Sequence, residues 1–319
     1  MRALAAALML AASAAQADFA MVPPVDCTLG ETCFIQNYFD TDPGPGRRDF
    51  ACGHLSYDGH DGTDFAVPTL AAMQAGVAVL APADGKILGT RDGMPDIAFN
   101  APGAPPLNGR DCGNGVAIDH GDGWVTQLCH MAKGSIQVTT GAQVTAGQPI
   151  GRIGLSGHTE FPHVHLSVRK NGQKIDPFRP SGTDSCDPAP GPSLWAKPLA
   201  YLPAAITGIG MAASPPDFDA ALAGLATPDP LATDGPALLV WAVLMGPSVG
   251  DRLIMRLTGP QGSVVEETVL LDKDQARSFR YAGRRTPPSG WPPGPYTAEV
   301  TLIRGDQVLD TETISTSLR

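Results

Sequence analysis

Residues 115–130 read GVAIDHGDGWVTQLCH. Two short runs mixing β-branched, apolar and polar residues, 115–120 and 123–130, flank Gly121-Asp122, a Gly/Asp turn signal. That arrangement predicts two antiparallel strands joined by a tight turn. Folding the chain back at the turn brings Cys112 close to Cys129, so these two are expected to form a disulfide. On either side lie AVLAPADGKILG (78–89) and GAQVTAGQPIG (141–151), again short runs punctuated by Gly or Ala-Gly. The pattern is that of a compact all-β unit built from hairpins.

Composition agrees with many short strands. Of 319 residues, 37 are Gly and 31 are Pro, which disfavours long helices. The length allows about two domains. A net charge of −10 makes sequence-independent binding of phosphates an unfavourable main activity, so no nucleic-acid partner is expected.

The N-terminus points to export. Met1-Arg2 precedes an apolar run, Ala3 to Ala15, too short to cross a bilayer, and Ala15-Gln16-Ala17 is a small-x-small exit followed by Asp18. Residues 1–17 are therefore expected to be a signal peptide cleaved after Ala17, placing the mature chain in the periplasm or outside the cell. No later apolar run is long enough for a transmembrane segment. Six Cys in an exported chain imply disulfides. With Cys112 and Cys129 paired, the other four Cys still allow three pairings, of which Cys27–Cys33 with Cys52–Cys186 is the one expected.

All six Cys precede residue 187, and a Pro-rich, charge-poor stretch covers 187–203. It is read as a linker between a domain at 18–186 and a second at 204–319. In the second, apolar runs recur near 204–212, 236–245, 251–258, 263–271, 277–282, 295–304 and 307–315, separated by turn signals such as Gly259-Pro260 and Gly305-Asp306. About seven short strands in this length predict an immunoglobulin-like β-sandwich. It has no His and no Cys, so it is expected to be an accessory module that positions the first domain or binds a protein partner.

The chemistry concentrates in the first domain, where all seven His lie between His54 and His165. His60 and Asp64 stand four residues apart around a Gly turn. His163 and His165, at i and i+2 in a β-branched run, share one face of a strand. Two imidazoles and a carboxylate suit one Zn²⁺ per chain, and three protein ligands leave a fourth position for water. A Cys-based zinc site is disfavoured, since no Cys-x-x-Cys occurs.

The combination His60-x-x-x-Asp64, Gln127-Leu128-Cys129-His130-Met131 and His163-x-His165 resembles the LytM/lysostaphin-type zinc endopeptidases. The phrases at 115–123, 141–151, 154–157, 171–172 and 175–177 match in the same order, and the resemblance spans roughly residues 52–180. It implies a lysostaphin-type antiparallel β-sheet domain with barrel-sandwich character and an open groove. It further implies hydrolysis of peptide bonds in peptidoglycan cross-links or stem peptides. His60, Asp64 and His165 would be the zinc ligands, and His130 and His163 the catalytic pair. His120 reads as a hairpin-stabilising residue, His54 and His158 as loop or groove-rim residues, and 91–111 as a loop beside the groove. Residues 157–162 and Leu166-Ser167 depart from the family pattern, which bears on substrate preference rather than on the metal. Two other readings are a zinc protease acting on Gly-rich proteins and a non-catalytic activator of a cell-wall amidase.

Overall fold

In the computed structural model, residues 19–182, 186, 192–226 and 231–319 are described. The expected signal peptide at 1–17 and part of the expected linker, 187–191, lie outside them. The first unit contains β1 (Phe34–Asn37), β2 (Thr63–Ala66), helix α1 (Leu70–Ala75), β3 (Ala78–Leu80), β4 (Gly85–Arg91), β5 (Asn114–Gly121) and β6 (Trp124–Met131). It continues with β7 (Gln143–Val144), β8 (Pro149–Arg152), β9 (His163–Lys170) and β10 (Gln173–Lys174). Strands β5 and β6 pair antiparallel, and Gly121, Asp122 and Gly123 in their turn all have positive φ.

The main sheet runs β1-β2-β9-β6-β5-β4-β7, with β10 on the end of β9. Strand β9 is central because its sequence, HVHLSVRK, serves both faces. Val164, Leu166 and Val168 are fully buried in the core with Phe65, Ile118 and Leu128. His163, His165 and Ser167 take the alternate positions. Each fully buried aliphatic side chain contributes about 1.5–3 kcal/mol, so a slip of one residue in β9 would be strongly disfavoured.

The two Gly-punctuated phrases do not close on themselves as hairpins. Strand β3 pairs with β8 in a separate two-stranded sheet, whereas β4 pairs with β7 at the edge of the main sheet. The phrases thus pair with each other, bridging from one sheet to the other.

The second unit contains β11 (Ala205–Ala212), helix α2 (Phe218–Ala223), β12 (Ala237–Met245), β13 (Arg252–Gly259), β14 (Gly262–Leu270), β15 (Arg277–Arg285), β16 (Gly294–Arg304) and β17 (Gln307–Leu318). Sheets β11-β12-β15 and β14-β13-β16-β17, both antiparallel, share one apolar core. Leu253, Met255 and Leu257 alternate along β13, as do Ala298, Val300 and Leu302 along β16, and all are fully buried. The opposite face of β12 is covered too, with Trp241 and Val243 packed near Ala221 of α2.

The two units share contacts. Ala205 and Met245 belong to the first unit's core, and Tyr201 Oη donates to Asp49 Oδ2 at 2.8 Å. Leu194 and Trp195, inside the stretch read as a linker, are buried, and Met21 N donates to Leu194 O at 2.7 Å. Disulfides join Cys27–Cys33, Cys52–Cys186 and Cys112–Cys129, the pairing expected from the sequence. No described helix is long and apolar enough to cross a membrane.

Candidate active site

Strand register assembles the site. Asn37 of β1 lies opposite Asp64 of β2, Asp64 opposite His165 of β9, and His165 opposite Cys129 of β6. Side chains directly opposite on neighbouring strands stand within contact distance, so one row across four strands brings distant parts of the chain together. His60 joins from the turn before β2. Its Nε2 lies 3.2 Å from Asp64 Oδ1 and 3.1 Å from His165 Nδ1, and His165 Nδ1 lies 2.8 Å from Asp64 Oδ1. His60, Asp64 and His165 are the described residues able to hold a metal ion, with their ligand atoms within 4.8 Å of one another.

The donor set fits a tetrahedral cation. Bonds of about 2.0–2.1 Å to Zn²⁺ place tetrahedral ligands roughly 3.3 Å apart, near the spacing observed. The far side of each ligand is also occupied. His60 Nδ1 donates to Tyr38 O at 2.6 Å, which leaves a lone pair on Nε2. His165 Nε2 is 3.2 Å from Asp61 Oδ1 and 3.0 Å from Ser167 Oγ, which leaves Nδ1 facing inward. Asn37 Nδ2 donates to Asp64 Oδ2 at 2.8 Å. Such outer partners fix ring orientation and tautomer in metal sites. Three acceptor atoms facing one another repel unless a positive charge sits between them. Burial works against a proton on His165, but hydrogen bonds with Asp61 and Asp64 outweigh it and lift the imidazole to about 9. Burial likewise favours neutral Asp64, yet the facing His60 and His163 hold its carboxyl well below the usual range.

Gly62 has a specific role here. A Cβ at this position would lie 2.6 Å from His165 Nε2 and 2.5 Å from Leu166 O, so only glycine lets the imidazole settle against the turn.

His130 and His163 stand beside the three ligand candidates. Their ring centroids are 4.7 Å apart, and His163 Nε2 is 3.4 Å from Asp64 Oδ1. His163 Nδ1 is held by Phe161 O at 2.9 Å and Thr159 Oγ1 at 3.1 Å. His130 occupies the left-handed region, φ +62°, uncommon for a residue with a side chain. Three constraints hold it: its N–H donates to Cys112 O at 2.8 Å, its Nδ1 donates to Ser156 O at 2.8 Å, and the neighbouring Cys129 is disulfide-bonded to Cys112. Burial first, then the nearby His163 and His165, keep the His130 imidazole well below its ordinary pKa. It is therefore neutral at pH 7, with Nε2 unprotonated.

Two grooves meet at this point. One of about 350 Å³ is lined by Asp64, His130, His163, Phe161, Glu160 and Arg277, among others. The other, about 240 Å³, includes Asp61, Asp111, His165 and Arg169. Tyr57, His130 and His158 line both, so the two grooves adjoin at the site. A larger cavity of about 550 Å³ lies beside Asp40, Asp49 and Asp176 and contains no His, so volume alone does not select the site.

The remaining His sit elsewhere. His120 bonds Asp84 O and Thr126 Oγ1 at 2.7 and 2.8 Å and stays outside the groove. His158 is an exposed groove wall, edge-on to Phe99 of the 91–111 loop at 4.2 Å. His54 is outside both grooves. Sequence reading missed Asn37, Asp61, Gly62, Ser156 and Thr159. Asp61 and Gly62 lay in plain view between His60 and Asp64. Asn37 carries no local signal, because only the β1–β2 register gives it a partner.

Residues 58–177 match Peptidase family M23. The peptidoglycan DD-endopeptidase ShyA of Vibrio cholerae serotype O1 is 32% identical over 120 residues, 38% of this chain and 22% of that protein. The murein hydrolase activator EnvC of Escherichia coli is 36% identical over 62 residues, covering 19% of this chain and 14% of that one. Among solved structures, the catalytic domain of the prophage-encoded M23 protein EnpA from Enterococcus faecalis is 24% identical. That match has a TM-score of 0.30 and covers 50% of this chain and 90% of that one. The chain spans about a fifth of the length of the first curated relatives it matches.

Proposed function

We propose that this chain, whose residues 58–177 form a domain of peptidase family M23, is an exported zinc endopeptidase that hydrolyses peptide bonds in peptidoglycan cross-links or stem peptides. One observation carries the reading. Three inward-facing ligand atoms, each residue held on its outer side by a hydrogen bond, stand next to two further imidazoles where two grooves adjoin.

His60, Asp64 and His165 would hold the zinc, which when bound polarises the scissile carbonyl and acidifies water. The chain's own groups do the rest. His130, neutral and with Nδ1 tied to Ser156 O, presents Nε2 as a base for the attacking water. The same nitrogen then carries that proton to the departing amide nitrogen, so the peptide bond breaks to an acid and an amine. His163, fixed by Phe161 and Thr159, supplies a second nitrogen at the same centre that can donate to the developing oxyanion when protonated. Burial of the five side chains excludes bulk water and strengthens these interactions.

The relatives divide between an endopeptidase and an activator. A chain that only activates another enzyme has no need of a buried, fully supported set of facing acceptors, which favours the hydrolase. The test is digestion of purified sacculi and of a Gly-rich protein in parallel, with and without a chelator, followed by mass spectrometry. Chelator-sensitive release of peptidoglycan peptides is expected. Products from the Gly-rich protein alone would reassign the substrate, and no products from either would leave activation as the better account.

A further inference from the structure

The groove beside His163 is walled partly by the second unit. Ala276 and Arg277, at the start of β15, line it together with His130, His163 and Phe161. Gln36 of β1 fixes this wall, its Nε2 donating to Ala276 O at 3.0 Å. The Arg277 guanidinium lies 4.6 Å over the Phe161 ring, and that ring in turn stacks on His163 at 4.3 Å and 21°. Arg277, Phe161 and His163 therefore form one chain of contacts leading from the second unit to the site.

The guanidinium carries five donors, and among the described residues it forms no ion pair or side-chain hydrogen bond. Glu160, the acid whose charge acts on it, accepts a hydrogen bond from Asn100 Nδ2 at 3.0 Å. Partial burial of the arginine lowers its pKa, with Glu160 only partly compensating. Cation–π stacking holds the group but leaves its N–H edge unsatisfied. Arg47 lines the same groove but is exposed to solvent, where screening weakens it. A half-desolvated cation facing a substrate channel calls for an anion, and a guanidinium fork matches a carboxylate.

We propose that Arg277 binds a free carboxylate of the peptide substrate, making the second unit a determinant of substrate choice. The contacts of 4.6 and 4.3 Å through Phe161 set an upper limit on its distance from His163, within the reach of two or three residues of extended peptide at about 3.5 Å each. The favoured substrates are thus peptides with a free carboxylate two or three residues from the scissile bond. This rests on the hydrolase reading above, and Arg277 is a specificity residue rather than a participant in the bond-breaking step.

The test compares one synthetic peptidoglycan-type peptide as its C-terminal acid and as its carboxamide, with the zinc-loaded full chain, Arg277→Gln and Arg277→Lys. For the acid, Arg277→Gln is expected to raise KM about 10- to 100-fold with kcat little changed, the scale of a lost charge-assisted pair. The amide should be indifferent to the substitution, and Arg277→Lys should recover part of the loss. Calorimetric binding of both peptides should reproduce the ratio. Equal KM values for acid and amide in the unsubstituted chain, or an equal rise for both in Arg277→Gln, would overturn the proposal. If the unsubstituted chain turns over neither peptide, the hydrolase reading fails. The calorimetric acid-to-amide ratio then still decides the role of Arg277: a preference lost in Arg277→Gln supports it, and no preference overturns it.

Discussion

The two units of the molecule are both antiparallel sheets over apolar cores, yet they treat polar groups in opposite ways. In the second unit, alternate residues of β12, β13 and β16 fill the core with Leu, Val, Met and Ala, and the only buried polar or charged residues described are Asp251 and Ser278. In the first, Asn37, His60, Asp64, Asn114, His130, His163, His165 and several others are buried. Burying such groups is unfavourable unless each finds a partner. The first unit meets this with a network, in which Asn114 alone bonds Met94 N, Met94 O and Met131 O. The strain follows the same division, since the positive φ of His130 falls inside that network. One unit keeps its core almost free of polar groups, and the other accepts them at several points, the candidate site among them.

Substitutions can break or sharpen this contrast. The largest effect is expected at a ligand candidate: His165→Ala should lose bound zinc and activity together, as read by metal analysis beside the sacculus assay. Full zinc retention would remove His165 from the metal shell. Next, His130→Ala should keep its zinc and lose about 10²–10⁴-fold in kcat, the usual scale for a missing acid/base group. Normal turnover would contradict the role given to it.

A core substitution in the second unit should behave in the reverse manner. Leu257→Ala, at a fully buried position of β13, should cost about 2–5 kcal/mol of stability in denaturant titration. Zinc content and kcat per folded molecule should remain. A change in kcat on amide peptides would mean the two units are coupled beyond the wall at Arg277.

Smaller still is the outer partner. Asp61→Asn should weaken zinc binding about 10- to 100-fold in competition with a chelator, because Asp61 orients His165 through Nε2. Unchanged affinity would make Asp61 a surface acid that only pairs with Lys174, 2.8 Å away.

The smallest effect concerns pH. Burial, with Asp49 adding repulsion, raises Asp176 from 3.8 to about 7, and its Oδ2 has no hydrogen-bond partner. The folded state therefore holds this proton more tightly than the unfolded chain does. The contribution of Asp176 is fully present below about pH 4 and declines as pH rises toward 7. Asp176→Asn should flatten that decline in a Tm-against-pH series, and an unchanged slope would assign the decline to other groups.

Much of this was legible in the sequence where the signal is local. Spacing i,i+2 in a β-branched run put His163 and His165 on one face of β9, and the seven apolar runs after residue 203 coincide closely with β11 to β17. Apolar alternation and turn residues are short-range properties, so they survive in one dimension. What escaped reading depends on register or on the meeting of the two units. Asn37 matters only because β1 pairs with β2, and Arg277 only because β15 abuts the groove. The phrases 78–89 and 141–151 were each legible as strand pairs, but which strands paired was decided by the surrounding sheet.

Anomalous diffraction at the zinc absorption edge, from crystals of the mature chain grown with the metal, addresses the central claim most directly. The account predicts one peak about 2.0–2.2 Å from His60 Nε2, Asp64 Oδ1 and His165 Nδ1, with the remaining side open to the groove. A peak bound instead by His130 or His163, or closed off by a fourth side chain, would contradict it.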